Sequence, residues 1–562
     1  MKKLNILLIL FALFLVSCDD YLDEEVSGPL TTNVYDTPEG IQFGLNAAYS
    51  TLPTVMGGST RNGEAGWALT TLGTDVYTNG RDGGIRNFDK YTDWIDPSNS
   101  YIEAVWEEFY RGINTANTVI AKAPSTLASN PDEAKNVEGQ ARFLRAYFYY
   151  WLVRQFGPVH YTATETTAPE TEANRTAVEE IYKHIVTDLE YAIENLPAEA
   201  AIRGKVNNWA AKTVLADVLL AMKEYDRAAQ VAEDVIANGP YNLVPNYADM
   251  WNVDNEGNSE FIWSAQFTED ELIDGGGNYA HMLFLSSYDS GKFVLRDTEN
   301  GRPWKRFRPT KYLLELYDDE DTRYDGTFKT VWYANDPEEI DEFIADGKDA
   351  VAVGDTALWL PKHAMTNEDR DKYIIGREGL KGKTYLDRQI VNPNEYNDRI
   401  YPATNKWIQP NRPDVNYTQG GRDFVVYRLA EVYLIASEAN ALKASPDQTK
   451  ALNFLNEVRK RAYNTTNVSD LPVISSVDLD VILEERAKEL AQEGKRWFDL
   501  VTRGKLVERV QLYGGYIDNL PGYSSRTNRE GSTNIRDYHA RRPIPQSQID
   551  RSTNEYPQNP GY

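Results

Sequence analysis

Residues 138–156, EGQARFLRAYFYYWLVRQF, are apolar on most sides of a helical projection and stop at Gly157-Pro158. A helix that is apolar all round has no face to offer to water, so other elements must wrap it. The chain therefore needs a thick helical layer, and neighbouring segments supply one. Residues 102–123 place Val105, Phe109, Ile113, Ala116 and Ile120 at helical spacing. Residues 177–196 carry a narrower stripe of Ile181, Ile185, Leu189 and Ile193, closed by Pro197. The expected class is mainly α.

Two helical hairpins extend this layer. The first runs from Trp209 to Ala221 and from Tyr225 to Ile236, ending at Gly239-Pro240. The second runs from Arg428 to Ala439 and from Ala451 to Arg461. Small Ala at close-packing positions, flanked by large residues, resembles a tetratricopeptide unit. The hairpins lie too far apart in sequence for a regular solenoid, so the chain must leave the scaffold on long excursions. Residues 57–100 and 240–425 show little helical period and are rich in Gly, Asp, Trp and Tyr, with strand-like pieces such as Glu260–Phe267. Irregular segments over a rigid scaffold are where binding tends to reside.

The first eighteen residues bear on compartment. Lys2-Lys3 precede an apolar run, Leu4–Val16, too short to span a bilayer and suited to a signal-peptide core. Leu15-Val16-Ser17-Cys18 resembles a lipobox, with Cys18 as the acylated residue of the mature protein. Two or more fatty chains hold a protein stably on a membrane where one does not. An acidic tether, Asp19–Glu25, follows. The expected divisions are a leader (1–17), a tether (18–26), an N-terminal region with helical hairpins (27–240), and a C-terminal region with a loop-rich insertion and terminal helices (241–562).

Composition narrows the chemistry. Cys18 is the sole cysteine, which excludes an intrachain disulfide or a zinc-thiolate cluster. No two of the five His lie at i, i+4. A net charge of −26 would repel a phosphate polymer, so nucleic acid is not an expected partner. No GxSxG, P-loop or dinucleotide fingerprint occurs. No metal or cofactor is expected. Asp318–Asp321 with Asp325-Gly326 fails as a calcium loop because Arg323 stands at a ligand position, and it reads as a solvated acidic turn.

Several motifs recur together in one known family. The lipobox, the helix Arg142–Pro158, the hairpin at 209–236 and the segment Tyr427–Ala439 resemble the SusD/RagB nutrient-uptake lipoproteins. So do Ile482–Leu500, similar to an ER…EL..EG.RW.DL helix, and the terminal Arg542-Pro-Ile-Pro545 and Gln558–Tyr562. The resemblance spans nearly the whole chain. It implies a non-catalytic, surface-exposed outer-membrane lipoprotein that binds a glycan or oligosaccharide. It also implies delivery to a partner TonB-dependent β-barrel transporter of the SusC type. Glu485, Arg486, Glu493, Arg496, Trp497 and Asp499 read as an ion-paired, partly buried helix surface.

A saccharide presents apolar C–H faces and edge hydroxyls, so a binder needs aromatic platforms flanked by amide, carboxylate or guanidinium groups. Trp67, Asp75, Asn79, Arg81 and Trp94 supply both in one segment, and Tyr288 and Trp304 supply a second set. Trp106, Trp151 and Trp209 sit in apolar helical stripes and belong to the core. Two other readings stay open: the same scaffold with peptide or other non-sugar cargo, and a glycoside hydrolase using two carboxylates.

Overall fold

The structure, a computed structural model, describes residues 32–562 except 58–60, 167, 169, 269–276, 346–350, 374–389, 518–526 and 529. The leader, Cys18 and the acidic tether lie outside the described residues.

Among the described residues, nine helices form the scaffold: α1 (Pro38–Met56), α2 (Arg61–Thr71), α3 (Ser100–Thr126), α4 (Pro131–Phe156), α5 (Val178–Asn195), α6 (Asn208–Ala221), α7 (Tyr225–Asn238), α8 (Leu429–Leu442) and α9 (Gln448–Ala462). Five of them, α1, α3, α4, α6 and α9, start at side-chain caps that satisfy otherwise orphaned amides. Asn99 Oδ1 accepts from the amides of Tyr101 and Ile102, Asn130 caps α4 ahead of Pro131, and Asn207 caps α6. Gly157, at φ 72°, ends α4 in a conformation that favours glycine.

The all-round apolar helix is indeed enclosed: every residue from Phe143 to Phe156 is buried. Even its charges are matched. Arg145 pairs with Asp188 at 2.8 Å, and the Arg154 guanidinium lies 3.5 Å over Tyr150 and 3.8 Å over Phe498. Trp106 and Trp151 are 3 % exposed, as the helical stripes require, and Trp209 is partly buried against the core.

Packing is serial from α1 through α3, α4, α5, α6 and α7, and α8 then docks on α7 with α9 beyond it. The two hairpins distant in sequence are thus neighbours in space. A strand pair closes the excursion between them: β2 (Phe261–Ala265) runs antiparallel to β4 (Phe424–Arg428), from Phe261↔Arg428 to Ala265↔Phe424. The excursion leaves and re-enters the scaffold through one zipped neck. Within it, β3 (Phe307–Pro309) returns to pair with β1 (Tyr77–Asn79).

Two expectations change. Residues 57–100 hold α2, hidden in the sequence by Gly63 and Gly66; a Cβ at Gly66 would lie 2.4 Å from the Val55 carbonyl oxygen, so contact with α1 demands glycine. Ile482–Leu500 is also two helices, α10 (Leu479–Glu489) and α11 (Arg496–Thr502), separated by a turn with Gln492 at φ 65° and Gly494 at φ 67°. The carbonyls freed at the turn are capped by distant donors. Arg428 and Tyr247 donate to Glu489 O, Lys406 to Ala491 O and Trp407 Nε1 to Gln492 O, at 2.6–3.0 Å.

Around this turn lies a fully buried charge lattice. Arg428 meets Glu260, Glu489 and Glu493 at 2.6–2.8 Å. Arg323 meets Asp321, Glu485 and Glu489 at 2.7–3.0 Å, Lys406 meets Glu493 at 2.7 Å, and Arg461 bridges Glu260 and Glu489. The motif carboxylates are ion-paired as expected, yet deeply buried and spread over two helices and the turn between them. Asp321, read as part of a solvated turn, is 2 % exposed and belongs to this lattice.

Candidate functional site

Three of the expected ligand residues are structural. Trp67 is fully buried, its ring edge-on to Phe284, Trp407 and Phe424 at 5.3–5.6 Å. It fills the centre of the core because α2, a helix not read from the sequence, carries it inward. Asp75 is fully buried, held by Arg496 Nε at 2.7 Å and Nη2 at 2.5 Å. This bidentate pair ties the first excursion to α11. Tyr288 is fully buried and stacks on Trp332 with ring centres 5.6 Å apart, while its hydroxyl donates to Gly301 O. None of the three offers a surface to a ligand.

The remaining four, Asn79, Arg81, Trp94 and Trp304, are partly exposed. Beyond β1 and β3 the two chains stay paired: Gly80 N donates to Arg306 O at 3.0 Å and Asp82 N to Lys305 O at 3.2 Å. The approach is close enough that a Cβ at Gly80 would lie 2.3 Å from Lys305 O. Residues 304–306 are pinned from the other side as well, donating to the carbonyls of Met282, Leu285 and Leu283 at 2.9–3.1 Å. Arg81 and Trp304, from segments more than 200 residues apart, are thereby held in neighbouring paired segments. Lys305 holds φ 50°, a left-handed conformation that costs a non-glycine residue about 1–3 kcal/mol and is typical of functional segments.

Trp304 is half-buried, edge-on to Tyr279 at 5.2 Å, with the Arg306 guanidinium 5.2 Å from its ring centre. Arg306 is held by Glu64 at 3.1 Å and crosses above Gly83, whose Cβ would sit 2.7 Å from its side chain. Gly84 abuts the Tyr101 hydroxyl, and Tyr101 lies 6.3 Å from Trp94. Trp94, also half-buried, rests edge-on against Phe88 at 4.9 Å. A line of partly exposed flat groups (Trp304, Arg306, Tyr101, Trp94) thus borders the side-chain-free Gly83-Gly84 backbone. Arg81 with Asp398 at 3.1 Å and Lys305 with Asp82 at 2.9 Å add polar groups. Asn79 sits at the strand end, its amide nitrogen donating to Gly80 O at 2.9 Å and its backbone NH to Asp89 at 3.1 Å.

Tyr101, Lys305 and Arg306 were missed in the sequence. Tyr101 reads as the first turn of α3, and Arg306 gains meaning only through the strand pairing that stations it at Gly83. The adjacent glycines at 83–84 were the available signal, since a paired glycine within an aromatic stretch marks exposed backbone.

Comparison with known proteins bears on the family. The model of the SusD family matches residues 259–562, more than half of the chain, and a model described as starch-binding, associating with outer membrane, matches residues 20–220. SusD-like protein P25 of Formosa agariphila is 26% identical, covering 98% of this chain and 97% of its own. Among solved structures, a SusD homologue from Bacteroides thetaiotaomicron aligns with TM-score 0.73 at 21% identity over 95% of this chain and 99% of that one. A surface glycan-binding protein A from Bacteroides thetaiotaomicron, in complex with laminarihexaose, aligns with TM-score 0.63 at 21% identity over 93% of this chain and 99% of that one. The helical scaffold, the strapped excursion and the matching family model agree, and the chain belongs to the SusD family.

Proposed function

We propose that this protein binds a glycan or oligosaccharide on the Trp304–Trp94 face and passes it unaltered to a TonB-dependent transporter of the outer membrane. In this reading Cys18 carries the lipid anchor and holds the protein at the cell surface. The observation that carries the proposal is the pairing of residues 77–82 with 304–309, which assembles aromatic rings and polar edges from two excursions beside bare glycine backbone. Trp304, Trp94 and Tyr101 supply platforms for sugar C–H faces. Arg81, Asn79 and Arg306 supply donors for hydroxyl pairs. The complex of a relative with laminarihexaose supports the ligand class. Delivery to a transporter and the anchor rest on the family resemblance and the lipobox.

Three platforms at about 1 kcal/mol each fall short of the ~4 kcal/mol of a millimolar complex. Edge hydrogen bonds add the remainder, so oligosaccharides bind in the micromolar-to-millimolar range and monosaccharides more weakly. Incubation of the purified protein with insoluble glycans tests the reading: depletion from solution without new reducing ends is expected. New reducing ends would establish a hydrolase. Binding of peptides with no glycan bound would establish a non-sugar cargo.

A further inference from the structure

A hollow of about 780 Å³ opens at the other end of β3 from Trp304, lined in part by Tyr312, Tyr317, Tyr324, Tyr396 and Tyr513. It shares no lining residue with the face described above. At ~3.3 Å per residue, the step from Trp304 to Tyr312 spans at most about 26 Å along the chain. The volume lies within the range of ligand pockets, roughly 300–1,000 Å³.

Its walls are held in place. Tyr312 and Tyr513 stack face to face, ring centres 3.9 Å apart and planes 15° from parallel, though they come from distant parts of the chain. The Tyr312 hydroxyl accepts from Arg509 at 2.8 Å, and Arg509 is anchored on Asp480 at 2.9 Å. Tyr317 donates to Lys488 O at 2.9 Å and Tyr396 to Pro361 O at 3.1 Å. Tyr324 stands edge-on to Tyr317 at 5.8 Å, with the Lys362 ammonium 5.0 Å from its ring centre. The charges at the rim are balanced: Lys311 faces Glu315 at 3.4 Å, and Lys362 faces Asp319 at 3.4 Å. At the mouth, the Asn394 amide is exposed.

A hollow whose open aromatic wall is the Tyr312–Tyr513 stack, backed by the nearly buried Tyr317, Tyr324 and Tyr396 and edged with amide and ammonium donors, suits an uncharged ligand with both apolar faces and hydroxyls. We propose that it is a second, independent site for a neutral saccharide. The inference rests on the saccharide reading of the Trp304 face and adds to it a site whose aromatic lining is tyrosine, without tryptophan.

That difference provides the test, because the lining of the hollow holds no tryptophan: a quench that is lost in Trp304→Ala reports the Trp304 face, and calorimetry reports both sites. The full chain is titrated with maltohexaose, laminarihexaose, cellohexaose and xylohexaose by both methods. Crystals are then soaked with the hexasaccharide that binds. Tyr513→Ala, and Asn394→Arg as a rim block that leaves the wall intact, are each expected to weaken the calorimetric second site at least fivefold. Tryptophan quenching should stay unchanged, and Tyr513→Phe should restore most of the binding. Trp304→Ala should do the reverse. Unaltered calorimetry in both cavity variants, with all binding lost in Trp304→Ala, would overturn the second site and leave the first reading standing. A crystal structure with the hollow filled by the chain's own residues would do the same. Binding that survives Trp304→Ala but fails in Tyr513→Ala would support the hollow and overturn the placement of the first site. No hexasaccharide bound by the wild type would overturn both.

Discussion

Around Glu489, the side chains of Arg323, Arg428, Arg461, Lys406 and their carboxylates are at most 3 % exposed, and each group meets one to three opposite charges. Around Trp304, Arg81 keeps 37% of its side chain exposed beside Asp398, and Asp82 keeps 45% beside Lys305. The same residue types serve opposite ends. In the lattice, the side chains are shielded from bulk solvent, and the charges gain their full worth only as a complete set that pins the α10–α11 turn to the neck of the excursion. On the open face each pair is weak and screened, so its members can exchange a protein partner for a ligand hydroxyl at little cost. Sequence motifs rich in charge therefore mark scaffold here, and the proposed binding surface lies among loop residues.

The sharpest way to break this contrast is Arg428→Ala, which leaves Glu260, Glu489 and Glu493 short of a buried partner. A loss of about 3–5 kcal/mol, or failure to fold, is expected in urea unfolding; a loss below 1 kcal/mol would show the lattice to be solvated. Acid provides the next test. Burial alone would raise the Glu485 carboxyl, but Arg323 and Lys488 draw it down to about 2. A lowered folded-state pKa contributes stability that is complete above the unfolded value, about 4.3, and disappears as pH falls towards 2. Glu485→Gln should be less stable than wild type at pH 7 and show a flatter decline between pH 4.5 and 2, read from unfolding midpoints across that window.

Effects on the open face should be smaller and confined to ligand. Trp304→Ala should cost about 1 kcal/mol of saccharide binding, about fivefold in Kd by titration, with most of the unfolding midpoint retained. Arg81→Ala should change stability by less than about 1 kcal/mol, because its pair is exposed, while still weakening glycan binding in the same titration. A large stability loss in Arg81→Ala would erase the distinction between the two regions.

Much of the scaffold was legible in residues alone. The all-round apolar helix, the stripes of α3 and α5 and the Ala-rich hairpins followed from helical periodicity, a local property that burial then enforces. Two features escaped for a physical reason. Gly63 and Gly66 lower helical propensity, yet at Gly66 the close approach of α1 demands glycine. The ER…RW.DL stretch has near-helical spacing, but the donors of Lys406, Trp407, Arg428 and Tyr247 reward a broken helix more than a continuous one. The same holds at the site. Asp75 looked like a sugar ligand because no sequence rule shows Arg496 arriving from 421 residues away.

By itself, the sequence determined that the chain is a helical scaffold with aromatic excursions, and its ordered motifs identified the family. Periodicity, caps and composition act over a few residues, so they can be read without neighbours. Which aromatic rings face water was settled only by long-range pairing. The β1–β3 register raised Trp304 and Arg81 to the surface, and the approach of α2, α11 and the Trp332 segment buried Trp67, Asp75 and Tyr288. Exposure belongs to the assembled surface, where one extra neighbour turns a platform into core.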